Sequence, residues 1–591
     1  MKMKKNLTGY PSIDKTHEEN LSYMKKNPII PDMSISNAIT LINMFNLNGE
    51  AVDMVKSSFS YAEMERDKMI VARALKEFGV KKGDIITVCM NNTYQAIVVF
   101  LAANTIGAVT TFLNYRASDD EVKHYLNEFS SRVFFNYDKD AEYNSRIKES
   151  TKLETIVTLS KSDLYNKKIG NTNESKTFGY NDFVSYDDLK SIAAFFKQPF
   201  NVLYGGKNDA LLLYTSGTSG APKTVVLTNE NVLANGIYCK NTINLPQSRN
   251  ERCLSFVPFK YPYGFATSVL LTFLCGRSVV LTPEGLNKEN AKDILKNINY
   301  YYGSPALADQ LINITPENFD LSAGHAFVTG GDFFTDKDRE KSTEFFHKHN
   351  NDHIEFNEGA GNAETVATWS SSVGNKYKPG TVGKILTGTS PMIVDPETME
   401  EKKYNEEGTL LIAGKHVFSG YYNNREATEK EFVYRNGKKY FNTRTTGSLD
   451  EEGYFTLTGR ESRFYILSDG NKVYCEKVQK FLNLIDVVDS CVVVEKPNSE
   501  TRFENKAYIV LKDGIEPSED IKQYIFDMCK REMINSKNEV CSLSPFEIPS
   551  SLEFVEKIQL TEADKIDFTY YQEKAKEEYE SHTSSVLNLK I

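Results

Sequence analysis

Thr215, Ser216, Thr218 and Ser219 bring four hydroxyls close together, with Gly217 and Gly220 among them and Lys223 just beyond. Hydroxyls donate hydrogen bonds to oxyanions. Glycines lack a Cβ, so backbone amides can close around phosphate oxygens. Lysine adds a compact positive charge for the same anion. This is phosphate-binding chemistry. It is not a Walker loop, because the G-x-x-x-x-G-K-[ST] spacing is absent. The apolar run Leu211–Tyr214 leads into the loop, as a strand delivering a phosphate loop would.

The elements around this loop alternate. Strand-like runs such as Asp84–Met90, Arg132–Asn136, Thr155–Leu159, Ala210–Tyr214, Ser278–Leu281, Ala326–Thr329 and Ile354–Phe356 are separated by amphipathic stretches such as Tyr61–Phe78 and Asp119–Phe129. The alternation predicts an α/β fold of helix-covered, mostly parallel sheets. Ser160–Asn201 is polar and reads as a surface excursion. After about residue 395, short strands and Gly/Asp turns predict a β-subdomain, and a smaller α+β unit follows. The boundary falls after Arg460, giving a large domain over 1–460 and a small mobile domain over 461–591. A chain of 591 residues accommodates both.

Composition narrows the function classes. With 40% hydrophobic and 25% charged residues, the chain reads as globular. A net charge of −10 argues against a nucleic-acid binder. Its eight cysteines form no C-x-x-C pair, which predicts reduced thiols and a cytoplasmic location. The basic N-terminus is followed by no apolar core of a secretory signal. Ala96–Leu113 is nearly long enough to span a bilayer, but Asn104 and Gly107 divide it. It therefore reads as a buried helix followed by the strand Ala108–Leu113, and no integral membrane span is expected. The pattern His347-x-His349-x-x-x-His353 matches no zinc-enzyme motif and reads as the end of a surface helix.

The Tyr214–Lys223 segment closely resembles the phosphate loop of the adenylate-forming superfamily, which includes acyl-CoA synthetases, peptide-synthetase adenylation domains and luciferases. The resemblance extends from about Phe59 to Lys574. Val257-Pro-Phe-Lys-Tyr-Pro-Tyr-Gly264 stands where the family has Pro-x-x-His-x-x-Gly, so the resemblance implies that Tyr261 and Tyr263 shape an acyl pocket; plain core packing is the alternative. Val328-Thr-Gly-Gly-Asp332, with Gly330, Gly331 and Asp332, resembles the turn that approaches adenine. Asn357-Glu-Gly-Ala-Gly-Asn-Ala-Glu-Thr365 resembles the Tyr-Gly-x-Thr-Glu element, which makes Gly361 part of the nucleotide site. Glu364 would hold Mg²⁺, together with Thr218. Ala360 replaces the family's aromatic and Ala363 its threonine.

Further on, Thr443-Arg-Thr-Thr-Gly-Ser-Leu-Asp450 aligns with the family's Thr-Gly-Asp ribose element. It places Arg444 at the glycine and Thr445 at the aspartate. Arg460 would contact ribose and phosphate, and Ser462 falls at the interdomain hinge. Asp469-Gly-Asn-Lys-Val-Tyr474, with Gly470 and Lys472, resembles the thioester-forming loop. Leu560-Thr-Glu-Ala-Asp-Lys-Ile566 resembles the element that carries the catalytic lysine, Lys565. The resemblance thus implies an acid–thiol ligase. ATP and Mg²⁺ would activate a small carboxylic acid as acyl-AMP, and the thiol of CoA or of an acyl carrier protein's phosphopantetheine would accept the acyl group. The changes at Ala360, Ala363 and Thr445 leave a second reading open, a family member that binds acyl or nucleotide ligands without efficient turnover.

Overall fold

The structure is a computed structural model. It describes residues 7–18, 28–167, 169, 183–214, 223–243, 245, 248–331, 334, 336–372, 377–460, 464–467, 472–498, 502–534, 540–560 and 566–588.

Two large sheets dominate the α/β part. One has eight strands in the order 420–421, 224–228, 209–214, 109–112, 85–89, 133–137, 155–159, 183–185. The other has nine, in the order 384–385, 370–371, 355–360, 326–330, 300–303, 252–255, 278–281, 50–53, 58–60. Their central pairings are parallel, as in Ile86 opposite Val133 and Val328 opposite Asn357. Antiparallel strands close the edges, including the hairpin of Asp209–Tyr214 with Thr224–Thr228. A five-stranded antiparallel sheet contains Ser390–Val394, Gly408–Ala413, Lys438–Leu449, Phe432–Arg435 and Phe455–Arg460. It corresponds to the expected β-subdomain.

The helix Tyr94–Thr105 shows why its sequence imitates a membrane span. Thr93 caps it, Oγ1 accepting from the Ala96 amide at 3.1 Å. All twelve of its residues are buried, in a core that also takes Val52 and Val279 from one large sheet and Ile86 and Leu211 from the other. A helix packed on every side is apolar on every side. The strand Val109–Phe112 follows. Among the described residues no helix is long and apolar enough to cross a membrane. Helix Tyr61–Glu77 starts from a capping box in which Ser60 and Glu63 satisfy each other's amides, as its amphipathic sequence anticipates.

One expectation needs correction. Ser160–Asn201 is not wholly a surface excursion, because Phe183–Ser185 extends the eight-stranded sheet and Tyr186 and Leu189 are buried beneath it. In the smaller α+β unit the helix Glu519–Cys529 stops short of Met533, which belongs to a short strand pair. From Phe464 onward a separate core forms around Val473, Val478, Cys491, Ile509 and Ile525. It touches the preceding part where Lys480 Nζ donates to the Leu457 carbonyl at 3.1 Å and Lys337 pairs with Asp489 at 2.6 Å. No disulfide links any of the eight cysteines.

Two histidines sealed in the large part give it an acid-labile character. His17 Nε2 lies 3.0 Å from the Thr389 carbonyl, and neither ring nitrogen of His416 has a partner among the described residues. Burial lowers His17 to about 4 and His416 to about 3. A group depressed on folding contributes stability above its unfolded pKa, near 6.5, and loses it as pH falls toward the folded value. The two together are expected to cost roughly 4 kcal/mol between pH 7 and pH 5. Thermal unfolding across that range should show the drop, and His416→Phe should remove about half of it. A midpoint equal at both pH values would contradict the assignment.

Candidate active site

The site lies where the parallel strands of both sheets end, the usual place for ligands in such sheets. A cavity of about 600 Å³ opens there. Tyr214 at the end of one strand and Lys223 just before the next stand on one side of it. Gly330 and Gly331 stand on another, and Gly361 and Glu364 follow the end of strand Glu355–Ala360. Gly331 has φ +90°, a conformation that side-chain-bearing residues avoid. A Cβ on Gly361 would lie 1.5 Å from the Ala367 carbonyl oxygen, so only glycine fits.

Glu364 is buried on this wall. Its Oε1 accepts a hydrogen bond from the Tyr421 hydroxyl at 2.7 Å. Burial pushes its carboxyl above the ordinary carboxylate range; the Tyr421 bond opposes this, and nearby Glu431 reinforces it. Lys223 Nζ lies 4.8 Å over the Tyr421 ring and 3.3 Å from Glu431 Oε1. Arg444 Nε reaches the other oxygen of the same carboxylate, Oε2, at 3.2 Å. Glu431 therefore joins the lysine of the phosphate motif to the arginine of the ribose element. It follows the helix Arg425–Lys430, whose Glu- and Lys-rich sequence reads as solvated surface, so sequence reasoning passed over it. Tyr421, on the short strand Gly420–Tyr421, was missed as well.

The Thr443–Asp450 alignment gains a geometric footing. Arg444 has φ +56°, the left-handed region where the resemblance places a glycine. Thr445 pairs with Arg460 across the ladder, so the two side chains share a face. Arg460 lines the cavity, as do Thr443 and Arg444. Thr445 is buried and spends its hydroxyl on the Thr443 carbonyl at 3.2 Å. Thr445 itself is not among the residues that line the cavity; its ladder partner Arg460 is.

Tyr261 and Tyr263 both line the cavity, and Tyr263 opens the π-helical stretch Tyr263–Leu270, a form frequent at functional sites. Its hydroxyl donates to the Val328 carbonyl at 2.6 Å. Lys472 begins the strand Lys472–Tyr474, which pairs with Phe464–Ile466. Thr215, Ser216, Gly217, Thr218, Ser219, Gly220, Asp332, Ser462, Gly470 and Lys565 lie outside the described residues. The flanks of Lys565 are described, and Leu560 bridges Ile566. The three histidines diverge. His347 pairs with Asp352, whereas His349 is buried with Nδ1 at 2.8 Å from the Phe345 carbonyl.

The sequence model of the AMP-binding enzyme family matches residues 46–422, and the chain belongs to that family, within the adenylate-forming superfamily. A long-chain-fatty-acid–CoA ligase of Bacillus subtilis is 26% identical over 527 residues, 87% of this chain and 90% of that protein. A luciferin 4-monooxygenase of Photuris pensylvanica is 27% identical over 421 residues, 68% of this chain and 72% of that protein. ATP-bound MatB from Rhodopseudomonas palustris superposes with a TM-score of 0.77 at 20% identity, covering 92% of this chain and 99% of that one. These likenesses agree with the α/β fold read from the sequence.

Proposed function

We infer that this chain joins a carboxylic acid to AMP at the expense of ATP and passes the acyl group to the thiol of CoA. A carrier protein's phosphopantetheine is the alternative acceptor. The observation that carries this reading is one cavity lined by Lys223, Glu364, Arg444 and Arg460 and also by the uncharged side chains of Cys239, Ile243, Leu271, Tyr300 and Tyr302. In it, a carboxylate oxygen attacks the α-phosphorus and pyrophosphate leaves. The protein's task is to position two anions and offset their charge.

Arg460 and Lys223 face the nucleotide end of the cavity, and Lys565 would neutralise charge that develops at the α-phosphate. Glu364 fits a hard cation: it is a carboxylate on the cavity wall whose buried position disfavours an uncompensated charge. Bound there, Mg²⁺ would offset phosphate charge. The small domain would then turn about Ser462 and bring the thiol to the acyl carbon, with Gly470 leaving room for its arm. The similarity to a fatty-acid–CoA ligase over most of both chains supports CoA as acceptor.

Pyrophosphate release with a panel of acids tests the reading; no release with any acid would favour a binding protein. Glu364→Gln keeps the bond from Tyr421 but removes the charge. The Mg²⁺ concentration for half-maximal release should rise by on the order of tenfold or more, since losing even a ligand's supporting partner costs that much. An unchanged Mg²⁺ titration would make Glu364 structural.

A further inference from the structure

The apolar arm of the cavity has a readable depth. At its mouth Gly330 pairs with Gly359. Farther down the same sheet Val328 stands opposite Tyr302, and Ala326 opposite Tyr300. Val328, Tyr302 and Tyr300 all line the cavity, so the arm descends from the level of Gly330 to that of Ala326. Four strand residues correspond to about 13 Å. The opposite wall comes from Cys239 and Ile243 on the helix Asn229–Ile243 and from Thr267 and Leu271.

The chemistry of this arm is one-sided. The charged side chains on the cavity wall are Glu128, Lys223, Glu364, Glu431, Arg444 and Arg460, and among the described residues none comes from the elements that build the arm. Arg277 lies behind Tyr300, its guanidinium 4.2 Å from the ring centroid and its Nε 2.6 Å from Glu251 Oε2, and it does not line the cavity. A second carboxylate or an ammonium in the arm would lose its hydration without a charged partner. A two-carbon acid would leave most of the arm empty, forfeiting contacts. Tyr263, pinned to the Val328 carbonyl at 2.6 Å, fixes one wall against widening for a ring or branch.

Building on the adenylation reading, we propose that the arm takes the tail of an unbranched, uncharged carboxylic acid of about ten carbons. The depth sets that length, because each C–C bond of about 1.5 Å advances roughly 1.3 Å along an extended chain. At the level of Ala326 the lining residue Leu245 packs in one apolar cluster with Tyr300.

The experiment uses the full chain with ATP and Mg²⁺, offering the even-numbered saturated acids from acetate to palmitate, malonate, and a cinnamate-type aryl acid. Pyrophosphate release and calorimetric acid binding are read in parallel. Each methylene should raise kcat/KM about threefold to fourfold up to the eight- to ten-carbon acids, with no further gain beyond. Ile243→Trp, at a half-buried position, and Cys239→Phe should each move the optimum to shorter acids, so that the ratio of kcat/KM for hexanoate to that for decanoate rises roughly tenfold or more over the natural chain. A preference for malonate, the aryl acid or acetate overturns the proposal, as does an unmoved optimum in both variants. Chain-length-dependent binding without pyrophosphate release keeps the tail site and overturns adenylation. Release with short acids only keeps adenylation and overturns the tail site. Neither binding nor release with any acid overturns both.

Discussion

Lys565→Ala is expected to slow pyrophosphate release by on the order of 10²–10³ while sparing thioester formation from supplied acyl-AMP. The asymmetry follows from where charge develops. In the first step a carboxylate attacks a phosphate, and negative charge accumulates between two anions. A lysine there is worth most when the site excludes water. In the second step the thiol attacks the acyl carbon of the acyl–phosphate mixed anhydride and AMP leaves with the bridging oxygen; no second anion has to approach the phosphate, so the demand on that cation falls. Leu560 and Ile566, on either side of Lys565 in the sequence, form an isolated antiparallel bridge. Single-turnover assays of each half-reaction measure the split. Equal losses in both would remove Lys565 from the adenylation step.

The second large effect concerns ribose. A carboxylate accepting two ribose hydroxyls makes charge-assisted bonds of about 1.5–3 kcal/mol each, against about 1 kcal/mol for one neutral bond. Thr445 falls short of even that, since its hydroxyl is turned to the Thr443 carbonyl. ATP binding by the natural chain is therefore expected to be weak. The double change Arg444→Gly with Thr445→Asp should tighten it by roughly 30- to 1000-fold, the equivalent of about 2–4 kcal/mol. Glycine relieves the φ of +56° and removes a side chain from the cavity wall. Aspartate would share the face of Arg460, its ladder partner. Glu431 would keep Lys223 as its cationic partner at 3.3 Å, so the gain reads out the ribose contact. Calorimetric titration with ATP–Mg²⁺ decides it. Tight binding by the natural chain, unimproved in the double variant, would mean that another residue holds the ribose.

Much of this molecule was legible in its residues because local chemistry and tertiary role coincide there. Strand periods around Ile85–Cys89 and Asp209–Tyr214, and the break at Gly107, mark elements the fold keeps. Glu364, Arg460, Gly330, Gly331 and Gly361, each singled out by its motif, all line one cavity. What stayed hidden depends on partners far away in the chain. Glu431 becomes a site residue only because Lys223, 208 positions earlier, and Arg444 converge on it. Tyr421 gains its role from Glu364, 57 positions away. At Thr445 the motif position is clear, but the turn of a short side chain toward the Thr443 carbonyl is invisible in the sequence.

The claim on which the rest depends is that a carboxylate oxygen attacks the α-phosphorus of ATP in this cavity. Turnover of decanoate labelled with oxygen-18 in its carboxyl group, with ATP, Mg²⁺ and CoA, tests it most directly by mass spectrometry of the nucleotide product. The account predicts one labelled oxygen in AMP, because the acyl–oxygen bond breaks when the thiol attacks and the bridging oxygen leaves with the phosphate. Pyrophosphate should carry none. Label in orthophosphate with ADP as the nucleotide product, or thioester formed with unlabelled AMP, would contradict it.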